Sequence, residues 1–168
     1  MSLHTYKNII KSAFDSQNWN YSTRETENGK FLFSINFTNS SNNTTIKCSV
    51  LISDDGICDI EAILPFTCTQ ENIGDVIVLI SEHNYSKRYA TLRVDFSDGE
   101  INNSYSFDFN ESTTPNYFLK RFISVKDIDD DETFGELEKL CFTTPIETSN
   151  TPEPQSSTSS KNKFKLNL

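Results

Sequence analysis

The run Asp127-Ile128-Asp129-Asp130-Asp131-Glu132-Thr133-Phe134-Gly135-Glu136-Leu137-Glu138 comes nearest in this sequence to a chemical motif. Asp127, Asp129, Asp131 and Glu138 fall at loop positions 1, 3, 5 and 12 of an EF-hand, where oxygen ligands surround a calcium ion. Position 6 needs glycine for its sharp turn, but Glu132 stands there and Gly135 comes at position 9. Acids also gather at the start of a helix, because carboxylates cap its free N–H groups and interact favourably with its dipole. A helix start is therefore expected, with weak calcium binding as an alternative. The other reactive side chains form no motif. Cys48, Cys58, Cys68 and Cys141 match neither a CxxC pair nor a zinc spacing and read as free buried thiols. His4 and His83 are far apart and have no ligand or base at fixed spacing. The acid pairs Asp59 with Glu61, and Asp95 with Asp98 and Glu100, lie at solvent-facing strand positions or in a turn. Acid/base catalysis needs desolvation or a close partner, so these carboxylates are expected to be solvated. No catalytic residue, cofactor or metal is expected.

The chain has 168 residues, with 15 Lys plus Arg against 24 Asp plus Glu and a net charge of −9. That balance argues against nucleic acid and against an anionic membrane surface, both of which select cationic side chains. No apolar run approaches the roughly 18–20 residues of a membrane span, and the opening Met-Ser-Leu-His-Thr-Tyr-Lys lacks a signal-peptide core. A soluble cytoplasmic protein is expected.

Hydrophobic periodicity shows which elements must position any site. Leu3, Tyr6, Ile9, Ile10, Ala13 and Phe14 form a helical stripe ending near Gln17. From Trp19 the period becomes two, and Trp19 itself falls at the inward parity of a first strand. Phe31, Phe33, Ile35 and Phe37 face inward on the next strand; Ile46, Cys48, Val50 and Ile52 follow, then Cys58, Ile60, Ala62 and Leu64, a run that Pro65 is expected to stop. Parity makes Glu27-Asn28-Gly29 and Asp54-Asp55-Gly56 three-residue loops with glycine third, and Asp98-Gly99 a two-residue turn. Setting Thr38 opposite Thr45 pairs Phe37 with Ile46, Ile35 with Cys48 and Phe33 with Val50. A second helix should run from Thr69 to about Asn84 with Ile73, Val76, Ile77 and Ile80 buried. A third hairpin, Tyr89 to Phe96 and Ile101 to Phe109, should face Leu92, Val94 and Phe96 to Ile101, Tyr105 and Phe107. Threonines ahead of Pro115 open another helix, with Tyr117, Phe118, Phe122 and Val125 as its apolar side, and a short one should hold Phe134, Leu137, Leu140 and Cys141. The fold class expected is α+β: a helix, a four-stranded antiparallel meander, a helix, a β-hairpin, and C-terminal helices packed on one face of the sheet. Residues 1–144 should form one domain, and the Ser/Thr/Pro-rich stretch 145–168 a disordered tail.

This order resembles the YbjN family, which shares the fold of type III secretion chaperones. The features that carry the resemblance are the N-terminal helix leading into Trp19, the Asn28-Gly29 and Asp55-Gly56 turns, and a middle helix ending near Glu82-His83-Asn84-Tyr85. The Asp98-Gly99 hairpin and the Pro115 helix complete it, across residues 3–142. The resemblance implies a small bacterial, non-enzymatic domain, described as a sensory-transduction regulator, chaperone-like in shape, suited to binding another protein and often a homodimer. It carries over no catalytic residue.

Leu32, Leu51 and Ile57 point outward on an otherwise polar sheet face, with Leu32 opposite Leu51 and Ile57 diagonal to it. A contiguous apolar patch inside a polar rim marks an interface, the alternative being cover by the C-terminal helix or a loop. These three, together with Asp129, Asp130 and Asp131 from the acidic stretch between Asp108 and Glu138, are the expected partner-binding residues. The expected function is non-catalytic protein binding, chaperone-like or regulatory, with a protein partner that the sequence does not name. The alternatives are an acidic immunity or antitoxin-like protein that neutralises a basic partner, and an enzyme of unrecognised type. The C-terminal Lys161-Asn162-Lys163-Phe164-Lys165-Leu166-Asn167-Leu168 alternates basic and apolar residues; a frayed end is expected, with docking on a sheet edge as an added strand as the alternative.

Overall fold

The N-terminal apolar stripe becomes α1 (Leu3–Ser16) in the computed structural model, which describes residues 2–39 and 43–142. Ser2 caps this helix by accepting from the Thr5 N–H, and Tyr6, Ile10, Ala13 and Phe14 form its buried face. The strands β1 (Ser22–Glu25), β2 (Phe31–Asn39), β3 (Thr44–Ile52) and β4 (Ile57–Thr67) follow. After them come α2 (Ile73–Ser86), β5 (Thr91–Val94) and β6 (Glu100–Asp108). The chain then forms α3 (Pro115–Lys126), a 3-10 helix (Asp127–Asp130) and α4 (Glu132–Phe142). All pairings in the six-stranded sheet are antiparallel, in the order β1-β2-β3-β4-β6-β5. The fold is α+β, as expected. The tail 145–168 lies outside the described residues, among which no helix is long and apolar enough to cross a membrane.

Strand parity sorts the sheet into two faces. Inward residues of β3 and β4, from Ile46 to Ile52 and from Cys58 to Leu64, are buried. Helix aromatics pack on the same face of the sheet: Phe14 is 6.0 Å from Phe33 of β2, Phe118 is 6.2 Å from Phe109 just after β6, and Phe134 is 5.1 Å from Phe66 of β4, centroid to centroid. The β2–β3 register is the expected one, from Phe31 opposite Ile52 to Asn39 opposite Thr44. Both three-residue loops form as well, with Gly29 at φ 72° and Gly56 at φ 90°.

Five expectations are corrected. The Asp98-Gly99 turn is a four-residue loop: Asp95 N–H donates to Glu100 O and Gly99 N–H to Asp95 O. Asp95 Oδ1 accepts from both the N–H and the hydroxyl of Ser97, and Asp98 Oδ1 accepts from Glu100 N–H. These Asx contacts offer the backbone a wider turn than the type I′ alternative. Val94 therefore faces Ile101, Leu92 faces Asn103, and Phe96 is 61% exposed. Because the register moves by two residues, every side chain keeps its face. Pro65 does not end β4; the strand runs to Thr67 through a register shift between Ile63 and Thr67, as expected of a residue with no N–H for the ladder. On α2, Ile77 is 38% exposed and His83 is buried instead, because Ile73-Gly74-Asp75-Val76-Ile77-Val78-Leu79-Ile80 is apolar on more than one side. Trp19 precedes β1 rather than lying in it and packs on Phe14, Phe37 and Phe122, while β1 is exposed throughout. Tyr117, expected on the apolar side of α3, is 40% exposed.

Gly99 combines two constraints. Its φ is 76°, and a Cβ there would stand 2.0 Å from the Cys68 carbonyl oxygen, whose own N–H donates to Gly99 O. Gly29 has a similar φ of 72° but nothing within 4 Å of the Cβ position. Gly29→Ala should therefore cost about 1–2 kcal/mol from the left-handed backbone alone. Gly99→Ala should cost clearly more in the same urea titration, because backbone has to move; equal losses would refute the close approach.

Candidate functional site

The helices cover one face of the sheet, and cross-strand pairing organises the other into rows. One row runs Arg24, Leu32, Leu51, Asp59, Ser106 over five strands, each residue directly opposite the next. The neighbouring row runs Ser22, Ser34, Ser49, Glu61, Ser104, Thr91 over all six. A third runs Asn36, Lys47, Ile63, Asn102, Arg93. The first row and the Ser49, Glu61 and Ser104 part of the second line a groove of about 390 Å³, with Arg24 near one end and Arg93 near the other.

Leu32 and Leu51 form a half-buried apolar pair in this groove, and Ile57, diagonal to Leu51, is 41% exposed. Asp59 and Glu61 bring two carboxylates onto adjacent rows of β4. Burial pushes the Glu61 carboxyl above its usual 4.5, the Glu100 charge adds to this, Arg93 opposes it, and Asp59 contributes a smaller rise. Among the described residues the groove is lined by neither His nor Cys. Its lining offers hydroxyls, an apolar pair and charges of both signs.

The expected acidic residues lie elsewhere. Asp129 accepts from Asn39 Nδ2 at the far end of β2 from Leu32, Asp130 is exposed, and Asp131 is tied to α2. Leu32, Leu51 and Ile57 thus share one face, and Asp129 to Asp131 are not part of it. The calcium-loop spacing is not matched by loop geometry either. Asp127 to Asp130 form the 3-10 helix, and Glu138 lies within α4. Asp131 Oδ1 accepts from Thr133 N–H, the capping arrangement of a helix start, and Asp127 pairs with Lys126. No three His, Cys, Asp or Glu among the described residues are placed to hold a metal ion.

His83 was unremarkable in the sequence, yet it joins two elements. Its Nδ1 is 3.0 Å from Thr133 Oγ1 and 3.7 Å from Asp131 Oδ1, while Lys87 Nζ reaches Asp131 Oδ2 at 2.6 Å. Burial holds the imidazole below its usual value against the pull of the Asp131 carboxylate. The cluster fastens α4 to the end of α2. The thiols are quiet: burial pushes Cys48 up to about 12 and Cys141 to about 11, and raises Cys58 and Cys68 as well. Nucleophilic cysteine needs the opposite shift.

Strand parity puts Arg24 and Arg93 on the outward face but does not show that they bound one groove with Ser104 and Ser106. The available signal was the alternation of Ser104 and Ser106 with Tyr105 and Phe107, which assigns the serines to the outward face. Joining them to Leu51 required β4 to pair with β6 across α2, and short-range parity does not encode that.

No protein-family model and no curated protein matches this chain. The site is therefore read from its own geometry.

Glu61 gives that geometry a measurable sign. An acid whose folded pKa is raised binds its proton more tightly folded than unfolded, so it lowers stability as pH rises above the unfolded value, here 4.5. Glu61→Gln should match the parent protein below that pH and become progressively more stable than it toward neutrality. Denaturant titrations across the range read the difference. A variant less stable than the parent at pH 7 would mean that the Arg93 attraction outweighs burial.

Proposed function

We propose that this chain is a non-catalytic protein-binding domain of the YbjN and secretion-chaperone-like type, working in the bacterial cytoplasm through the uncovered face of its sheet. The observation that carries this reading is the Leu32–Leu51 pair, set in a groove across the strands with Arg24, Asp59 and Arg93 around it. An apolar pair with a polar, charged rim is the composition of a non-obligate protein interface. The element order, a helix, four strands, a helix, a hairpin and further helices, supports the family resemblance. The alternative of an acidic immunity or antitoxin-like protein that neutralises a basic partner draws less support, since Asp127 and Asp131 already pair with Lys126 and Lys87.

Leu51→Asp and Ile57→Asp test the face separately, because each changes one outward side chain. Both variants should keep the parent far-UV circular dichroism and a melting temperature within a few degrees. Leu51→Asp should lower self-association in sedimentation velocity, or remove the proteins captured by the immobilised parent from a bacterial lysate, and Ile57→Asp should weaken the same signal. Unchanged association and capture in both variants would refute the proposal.

A further inference from the structure

β6 is longer than the strand that flanks it. β5 pairs only with Ile101 to Ser104, because Ala90, at φ 61°, turns the chain out of the sheet just before Thr91. Tyr105 to Asp108 thus have β4 on one side and, among the described residues, no strand on the other. In an antiparallel ladder alternate residues direct both N–H and C=O to the same neighbour. Glu100 O accepts from Asp95 N–H on the β5 side, and Phe109 N–H donates to Gly56 O on the β4 side. Even-numbered residues of β6 therefore face β5, and Ser106 and Asp108, both exposed, direct their backbone groups to the open side. The edge of β5 itself is closed: the Asn84 side chain donates to Leu92 O at 3.0 Å and accepts from Leu92 N–H at 2.9 Å, in place of a strand.

The open edge has two unlike faces. On the helix side Tyr105 and Phe107 stack 5.8 Å apart, with Tyr89 and Tyr117 against them. On the other side are Ser106 and Asp108, with Asp59 and Ile57 beyond them on β4. A strand added here needs apolar residues on one face and cationic ones on the other. Lys161, Lys163 and Lys165 alternate with Phe164, Leu166 and Leu168 and supply that pattern. The open stretch of β2 beyond Ser34 fits less well, since its outward residue Asn36 stands opposite Lys47. Residues 143–160 can extend to about 60 Å, against a diameter of about 40 Å for a domain of this size, so the segment reaches the edge.

We propose that Lys161–Leu168 adds to the open edge of β6 as a further strand within the same molecule, pairing with the backbone of Ser106 and Asp108. Phe164, Leu166 and Leu168 then lie on the Tyr105–Phe107 side, and the lysines lie on the side of Asp108 and Asp59. Main-chain hydrogen bonds hold the segment, and the alternation sets its face. The pairing is at the sheet edge and does not rest on the proposed function, although Ser106 and Asp59 beside it also line the groove.

Amide hydrogen exchange of Ser106 and Asp108, followed by NMR on the full chain, tests it. In the parent both amides should exchange about tenfold or more slowly than in a full-length Phe164→Asp, Leu166→Asp double variant. Exchange elsewhere in β6 should be unchanged, and the protection should persist on tenfold dilution. Equal rates in parent and variant overturn the proposal. Protection that falls with dilution overturns the intramolecular pairing and assigns the strand to a second copy of the chain.

Discussion

The structure depends on the burial of one aromatic ring. Phe14 is fully buried and meets Trp19, Tyr21, Phe33, Phe118 and Phe122 at centroid distances between 4.9 and 6.0 Å. Those partners belong to the segment leading into β1, to β2 and to α3, so one side chain of α1 ties α1 and α3 to one face of the sheet. Tilted and edge-to-face rings add about 0.5–1.5 kcal/mol per pair to the burial of their area. An antiparallel sheet covered in this way on one side keeps its alternation of apolar inward and polar outward residues. The candidate binding face follows from that asymmetry: the helices that Phe14 gathers are the reason the opposite face remains open.

How much of this was legible in the sequence depended on how local the determining contacts are. The β2–β3 register could be read because Phe33, Ile35 and Phe37 must meet Val50, Cys48 and Ile46 across a short connection, and a one-residue slip would turn all of them to water. The 98–99 turn was misread because Asp95 and Asp98 spend their carboxylates on nearby N–H groups, an effect that side-chain parity does not register. The buried side of α2 was partly misread because its apolar residues exceed one face, and the choice is made by the elements that receive it; His83 is buried through Thr133 and Asp131, some fifty residues away. Of the site itself, Leu32, Leu51 and Ile57 could be read from parity. The row continuing to Ser106 could not, since it depends on β4 and β6 becoming neighbours after the excursion through α2.

The sheet also manages its edges by local chemistry. β1 is four residues long and exposed, which limits the length of template it presents. β5 is equally short, and Asn84 supplies the amide pair that a neighbouring strand would have supplied. An Asn at this place needs no further backbone, and its hydrogen bonds also fix the end of α2 against the strand. Ala90 has the opposite effect: by leaving the extended region it ends the pairing of β6 four residues before β6 itself ends. Ordered aromatic side chains on one side and carboxylates on the other then make this stretch of edge selective for an amphipathic strand.

The outward face has a composition that bears on how tightly it could bind. Ser22, Ser34, Ser49, Ser104 and Thr91 have short side chains on paired backbone, so docking a partner against them immobilises few rotamers. The exposed hydroxyls of Ser22 and Thr91 lose little net free energy when water is exchanged for another polar group. Specificity on such a surface has to come from the few residues that differ from the rest: the Leu32–Leu51 pair, the two arginines, and Glu61. Because Glu61 is half-buried and its carboxylate is already disfavoured there, a partner that covered it with apolar surface would pay a further desolvation cost, whereas one that brought a cation to it would relieve the existing penalty. Charge therefore discriminates at the middle of the groove, and apolar contact contributes mainly at the Leu32–Leu51 end.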